Sequence, residues 1–175
     1  MGQHIEARKD TFYRLKNNPS ICWRLVLWLF ATKFRKTAEE YGEKTDSVKC
    51  IVFDDTLLAK TGRCIEKVSR VWDHVTGRFI LGFKMLLMGY WDGTSFIPVD
   101  FSLHREKGRN KEKPFGLKKK ELKRQYRKKR VAGTHSYERS KEADTGKIES
   151  ALKMFSRAIA QGFKVDYLLM DSWFK

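Results

Sequence analysis

Two acidic positions stand out for the chemistry they could do together. Asp54-Asp55-Thr56 closes the short apolar, β-branched run Cys50-Ile51-Val52-Phe53, and Asp171 closes a second run, Val165-Asp166-Tyr167-Leu168-Leu169-Met170. Such runs read as buried strands, which puts both sets of acids at strand C-terminal ends. Two carboxylates brought close repel each other and share a proton unless a cation lies between them. Mg²⁺ or Mn²⁺ takes oxygen ligands and is held by one or two carboxylates together with substrate phosphate. Two such ions roughly 3.5–4 Å apart can activate an attacking water or hydroxyl and stabilise the oxygen that leaves phosphorus. A single aspartate at a strand end commonly just caps a turn. It is the pair, in its element order, that carries the metal reading.

The surrounding elements must bring these acids together. Phe79 to Tyr90 is a long apolar run and reads as a central strand; Asp92-Gly93 then signals a hairpin. Ile97, Val99, Phe101 and Leu103 alternate with Pro98, Asp100 and Ser102, a half-buried strand that Pro98 places at an edge. After Asp144-Thr145 helical spacing returns, with Ile148, Ala151, Leu152, Phe155 and Ile159 on one face and Gly162 as the stop signal. The order is strand, strand, strand, basic insert, helix, strand. The first three form an antiparallel meander. A right-handed crossover through the helix lays the last strand parallel beside the first. Asp55 and Asp171, 116 residues apart in the chain, then meet at one end of neighbouring strands. Upstream, residues 1–47 read as a helical segment. Asn17-Asn18-Pro19-Ser20 forms a turn, Ile21 to Phe34 a helix with Trp23, Leu27 and Phe30 on its core stripe, and Thr37 to Lys49 a polar linker. The predicted class is α/β, a mixed sheet with an N-terminal helical segment and a basic insert.

Charge identifies the partner. Lys and Arg number 37 against 21 Asp and Glu, a formal +16, which calls for a polyanion. Residues 105–130 hold 14 Lys/Arg and three acids, a net +11, and so carry most of that excess. Such a block is expected to stay out of any core. Arg105, Lys118, Lys119, Lys120, Lys123, Arg124, Arg127, Lys128, Lys129 and Arg130 are the predicted contacts to a phosphate backbone, with Tyr126 able to stack on a base and His104-Arg105 able to touch the backbone. DNA, RNA and anionic membrane are the candidate partners for such a charge, and nucleic acid is favoured over membrane. The apolar run Ile21 to Phe30 contains Arg24 and falls short of the roughly 20 residues a span needs, and no cleavage site of a signal peptide follows it. Cys22, Cys50 and Cys64 are odd in number, lack metal spacing and imply no disulfide framework, which fits a reducing cytoplasm; His74, His104 and His135 give no zinc spacing. Twelve Phe, six Tyr and five Trp argue against disorder.

Three stretches resemble the DDE transposases of bacterial insertion sequences, in the branch marked by a C-terminal Tyr-Arg-Glu-Lys signature. They are Ile51-Val52-Phe53-Asp54-Asp55-Thr56; Gly82 to Asp100, with Gly89-Tyr90-Trp91-Asp92-Gly93 and Phe96-Ile97-Pro98-Val99-Asp100; and Leu168-Leu169-Met170-Asp171-Ser172-Trp173-Phe174. Asp10-Thr11-Phe12-Tyr13-Arg14 with Asn17-Asn18-Pro19 is similar to the helical region before the family's core. The resemblance implies a ribonuclease-H-like sheet, incomplete here. Residues 1–47 would be a partial DNA-end-binding region, and 48–175 the N-terminal part of the catalytic domain, with the basic insert at 105–143. The family's first catalytic aspartate directly precedes Thr, which assigns that role to Asp55, and Asp171 takes the second; both would bind Mg²⁺ or Mn²⁺. The family's third acid, a Glu of the signature motif, has no counterpart before Lys175, and neither Glu149 nor Asp166 fits it. The chain therefore reads as a transposase truncated after the second aspartate and inactive alone. The implied activity is metal-dependent DNA strand cleavage and transfer of the freed 3′-OH in cut-and-paste transposition. The implied partners are transposon ends and target DNA, with a homodimer at full length, at the nucleoid in bacterial cytoplasm. Trp173 and Phe174 read as core packing in preference to a wedge into distorted DNA. Two alternatives stand beside this reading: another ribonuclease-H-like nuclease or resolvase, and a non-enzymatic basic protein that binds nucleic acid.

Overall fold

The run around Leu86 becomes the spine of a mixed sheet. A computed structural model describes residues 8–41 and 47–171. Its strands are β1 (Cys50–Ala59), β2 (Ser69–Asp73), β3 (Arg78–Trp91), β4 (Phe96–His104) and β5 (Tyr167–Met170); its helices are α1 (Lys9–Asn17), α2 (Trp23–Tyr41), α3 (Lys119–Lys123), α4 (His135–Glu142) and α5 (Lys147–Ala160). β3 pairs antiparallel with β1 along one side, and with β2 and then β4 along the other. β1 pairs parallel with β5, from Cys50↔Tyr167 to Phe53↔Met170. The crossover through α5 therefore returns the chain beside the first strand, as its sequence order predicts.

Among the described residues β4 pairs only with β3, so Pro98 does lie on an edge strand. The register slips between Met88 and Gly89, leaving Val99 as the extra residue opposite them. Gly89 suits that position, because a Cβ there would come within 2.0 Å of the Phe96 ring, which would have to move aside. β2 was not anticipated. Ser69-Arg70-Val71-Trp72-Asp73 is short and mostly polar, and an edge strand of that length has too little apolar pattern to declare itself.

One face of the sheet carries the main core. Ile51, Phe53, Leu86, Met88, Tyr90, Ile97 and Val99 pack against Trp28 and Ala31 of α2 and against Ala151, Met154, Ala158 and Phe163 of α5 and its exit. Gly162, at φ 78°, lets the chain reverse, and the Phe163 amide donates to the Ala158 carbonyl across the helix end. Phe163 then sits edge-on to Trp28 and Tyr90, at 5.7 and 4.9 Å between ring centroids.

Three sequence expectations are corrected by this packing. α2 runs on to Tyr41, into the first residues of the stretch assigned to a linker. Trp28 and Ala31 of this helix belong to the sheet's own core. Its inward side is Trp28 and Ala31, while Trp23 and Phe30 are exposed. In α5, Ala151, Met154 and Ala158 face the sheet, and Ile148, Leu152 and Ile159 do not. Both helices have apolar residues on more than one side, so spacing alone does not choose the face. In α2 the choice is made by charge: Arg24 turns inward because Asp100 of β4, fully buried, accepts from it at 2.8 Å and from Arg157 of α5 at 2.7 Å.

The basic block does join a core, against expectation. Leu117 is buried with Val68, Leu81 and Phe83 in a second cluster, flanked by Leu103 and Leu122. Backbone ties from Arg70 to Phe115 and from Tyr126 to Cys64, and a side-chain bond from Gln125 to the Val68 carbonyl, fasten the block beside β2. A few apolar residues among many lysines suffice: Leu117 is buried and Leu122 partly so, while Lys118, Lys119, Lys120 and Lys123 stay exposed.

Candidate active site

Strand alternation separates the two adjacent acids of β1. Asp55 shares the inward face with Ile51 and Phe53, and Asp54 lies on the opposite face, exposed. Facing Asp55 are two ammonium groups. Lys147, the first residue of α5, donates to Oδ2, and Lys84 of β3, buried, lies 3.7 Å from Oδ1. Burial alone would push the Asp55 carboxyl up; the hydrogen bond and charge of Lys147, then the charges of Lys84 and His74, hold it below the usual carboxylate range.

Asp171 directly follows Met170, whose partner on β1 is Phe53. It therefore lies one residue past the last paired position, level with Asp54 and one step from Asp55, on a strand that neighbours β1 at the usual spacing of about 4.8 Å. Asp171 is exposed. β1 runs on to Ala59, so Asp55 stands in mid-strand opposite Leu86 and not at the strand end expected from the sequence, while Asp171 follows the last residue of the adjoining strand, level with Asp54. Ser172, Trp173 and Phe174 lie outside the described residues, so the predicted packing of that aromatic pair does too.

Behind Asp55 the inward face continues as a polar row across β3 and β4. Lys84 is opposite His104 in register. The His104 Nδ1–H donates to the Thr145 carbonyl at 2.9 Å, which leaves Nε2 to accept from the Ser102 hydroxyl at 2.6 Å. Burial pushes the imidazole below its ordinary value, against the opposing pull of the Thr145 carbonyl. The expected contact of His104 with a nucleic-acid backbone is ruled out by its burial: it ties β4 to the turn before α5, and so fixes where Lys147 starts.

The predicted phosphate contacts divide into two groups. Arg130 is locked to Glu66 by two bonds of 2.6 and 2.7 Å. Arg105 pairs with Asp144 and lies 3.9 Å over the Phe115 ring, and Lys119 reaches Glu112 at 3.5 Å. Lys118, Lys120, Lys123, Arg124, Arg127 and Lys129 are exposed, and Lys128 is half-buried. A cleft of about 520 Å³ between the α1–α2 turn, α4 and the basic block has Phe83, Phe101 and Leu103 among its lining residues; it does not include Asp55.

A family model described as DDE superfamily endonuclease matches residues 4–175. The chain belongs to this family. No curated protein and no solved structure matches it. Membership makes this a nuclease- or transposase-type domain that acts on DNA, in a family that is generally divalent-metal dependent. The DDE chain has no helix among its described residues that is long and apolar enough to cross a membrane.

The donor chemistry at Asp55 fits a divalent cation. Its carboxylate is a hard oxygen ligand kept ionised, although a cation bound there would compete with the two ammonium groups already on it. Among the described residues, no group of three or more His, Cys, Asp or Glu is set to hold a metal. Sequence reasoning passed over Lys84 and Lys147, and each left a trace. Lys84 is the one charge inside the apolar run from Ile80 to Tyr90, where a strand buried on both faces demands a partner. Lys147 places a cation at a helix N-terminus, where the backbone dipole disfavours it; a nearby carboxylate resolves the conflict.

Proposed function

We propose that this DDE domain provides Asp55 and Asp171 as two metal-binding carboxylates of a site that cleaves DNA strands and transfers the freed 3′-OH, as in cut-and-paste transposition. The observation that carries the reading is the parallel β1–β5 pairing, which ends at Phe53↔Met170 and supports a place for Asp171 one residue from the level of Asp55. The mixed five-stranded sheet with its α5 crossover supports a ribonuclease-H-like core. A cation held by these carboxylates would supply Lewis-acid stabilisation of the phosphoryl oxygens and an activated attacking oxygen. The chain's own contributions are distinct. Lys84 and Lys147 keep Asp55 ionised, and α5 and β4 fix its surroundings. The exposed cations Lys118, Lys120, Lys123, Arg124, Arg127 and Lys129 bind and orient the phosphate backbone. α1, with Lys9, Arg14 and Lys16 exposed and no buried residue, suits a share in DNA-end contact. In this reading the protein is the transposase of an insertion sequence of the Tyr-Arg-Glu-Lys branch. It acts as a homodimer on transposon ends and target, at the bacterial nucleoid, and its chemistry calls for a third carboxylate besides Asp55 and Asp171.

Calorimetric titration with Mn²⁺ tests the pair. Uptake by the wild-type chain should disappear in the Asp55→Ala, Asp171→Ala double variant. Equal uptake by both would remove these aspartates from metal chemistry.

A further inference from the structure

Asp55 is one carboxylate facing two ammonium groups, and the two are held differently. Lys84 stands on the central strand with its side chain 6% exposed, and its Nζ lies 3.7 Å from Oδ1, beyond hydrogen-bonding distance. Lys147 opens α5, its side chain is 34% exposed, and it donates directly to Oδ2. A divalent cation at Asp55 needs the carboxylate lone pairs that Lys147 occupies. Lys84, almost wholly buried on the central strand, has no open path to water and stays. Lys147 has an open path to water at the helix start.

We infer that Lys147 is a displaceable counter-ion of the metal centre: its ammonium holds the Asp55 carboxylate and yields Oδ2 to the incoming divalent cation. The inference rests on the reading of Asp55 as a metal ligand. It makes Lys147 a positioning residue, one that keeps the carboxylate ionised and correctly turned before metal arrives, at the expense of metal affinity. His104 supports it through the Thr145 carbonyl, two residues before Lys147, which anchors the start of α5. Once displaced, the ammonium remains within a side chain's length of Asp55, where a substrate phosphate is the anion available to receive it.

Mn²⁺ titration calorimetry of the wild-type chain, Lys147→Met, Lys147→Arg and Asp55→Asn tests this without reference to nuclease activity. Removing one competing ammonium from a partly exposed carboxylate should tighten Mn²⁺ binding about three- to tenfold in Lys147→Met. Lys147→Arg keeps the charge and should stay within about twofold of wild type, and Asp55→Asn should take up no Mn²⁺. Mn²⁺ should correspondingly raise the melting temperature of Lys147→Met more than that of wild type. Unchanged or weaker Mn²⁺ binding in Lys147→Met, with binding lost in Asp55→Asn, overturns the inference and leaves Asp55 as a ligand. Undiminished binding in Asp55→Asn overturns the ligand reading and the inference with it. If wild type takes up no measurable Mn²⁺, binding gained in Lys147→Met supports the inference and its absence there overturns it. Lys147→Ala replaces the Met variant if that one does not fold.

Discussion

Asp54 and Asp55 are adjacent in sequence and chemically identical, yet their surroundings differ in every respect that matters. Asp54 faces solvent, whereas Asp55 is the carboxylate opposite a buried ammonium. Removing it strands that charge, which in a buried pair is strongly destabilising and here is moderated by the partial exposure of Asp55. In chelator, Asp55→Ala should lower unfolding stability by about 1–3 kcal/mol, and Asp54→Ala by no more than about 0.5 kcal/mol. Urea unfolding of the two variants measures the difference, and equal losses would mean that Lys84 does not depend on Asp55. Asp100 shows the same principle with the charges exchanged: a fully buried carboxylate made tolerable by Arg24 and Arg157 from two helices.

The basic block is an element with a fixed seat. Its apolar members Leu117 and Leu122 fill the second cluster, and the Glu66–Arg130 pair closes its far end. The hydrogen bond from Arg130 holds the Glu66 carboxyl below the usual carboxylate range, with burial opposing. A depressed folded-state value means that the pair's contribution is complete above the unfolded carboxyl's pKa, near 4.3, and is lost as pH falls through the folded value. Glu66→Gln should therefore be less stable than wild type by about 1–2 kcal/mol at neutral pH. That gap should hold down to roughly pH 5 and close below it. Denaturation curves of both proteins from pH 7 to pH 3 test this; a gap of constant size over the range would show that the ion pair contributes nothing.

For the whole molecule, the net charge of +16 divides between structure and partner. Lys120, Lys123, Arg124, Arg127 and Lys129 are exposed and form no ion pair among the described residues, whereas Arg130 and Arg105 are held by acids of the same chain. Neutralising the exposed five should weaken DNA binding across sequences and reduce the slope of log affinity against log salt by about 0.9 for each phosphate left unneutralised. Arg130→Ala should instead lower stability and leave the slope near wild type. Fluorescence anisotropy with a DNA duplex at several salt concentrations distinguishes the two. An unchanged slope in the five-residue variant would remove the block from the DNA interface. Apolar surface is divided as well: all four residues of β5 are exposed, as are Leu25, Leu29 and Phe30 of α2 and Leu152 of α5.

Local pattern determined much of this protein by itself. Apolar runs located β1, β3, β4 and β5, Pro98 announced an edge, Gly162 announced a helix end, and the strand–helix–strand order predicted the parallel return that brings Asp171 to β1. These features depend on backbone chemistry and period, which a short window contains. Only the tertiary structure decided which helix faces turn inward, because Leu152 and Met154 of α5 are both apolar and differ chiefly in what lies opposite. It alone set Lys84 and Lys147 on Asp55 and seated a lysine-rich block on a core. Each of those outcomes depends on residues far apart in the chain, where the free energy of a buried charge or side chain is fixed by a neighbour that no local pattern reveals.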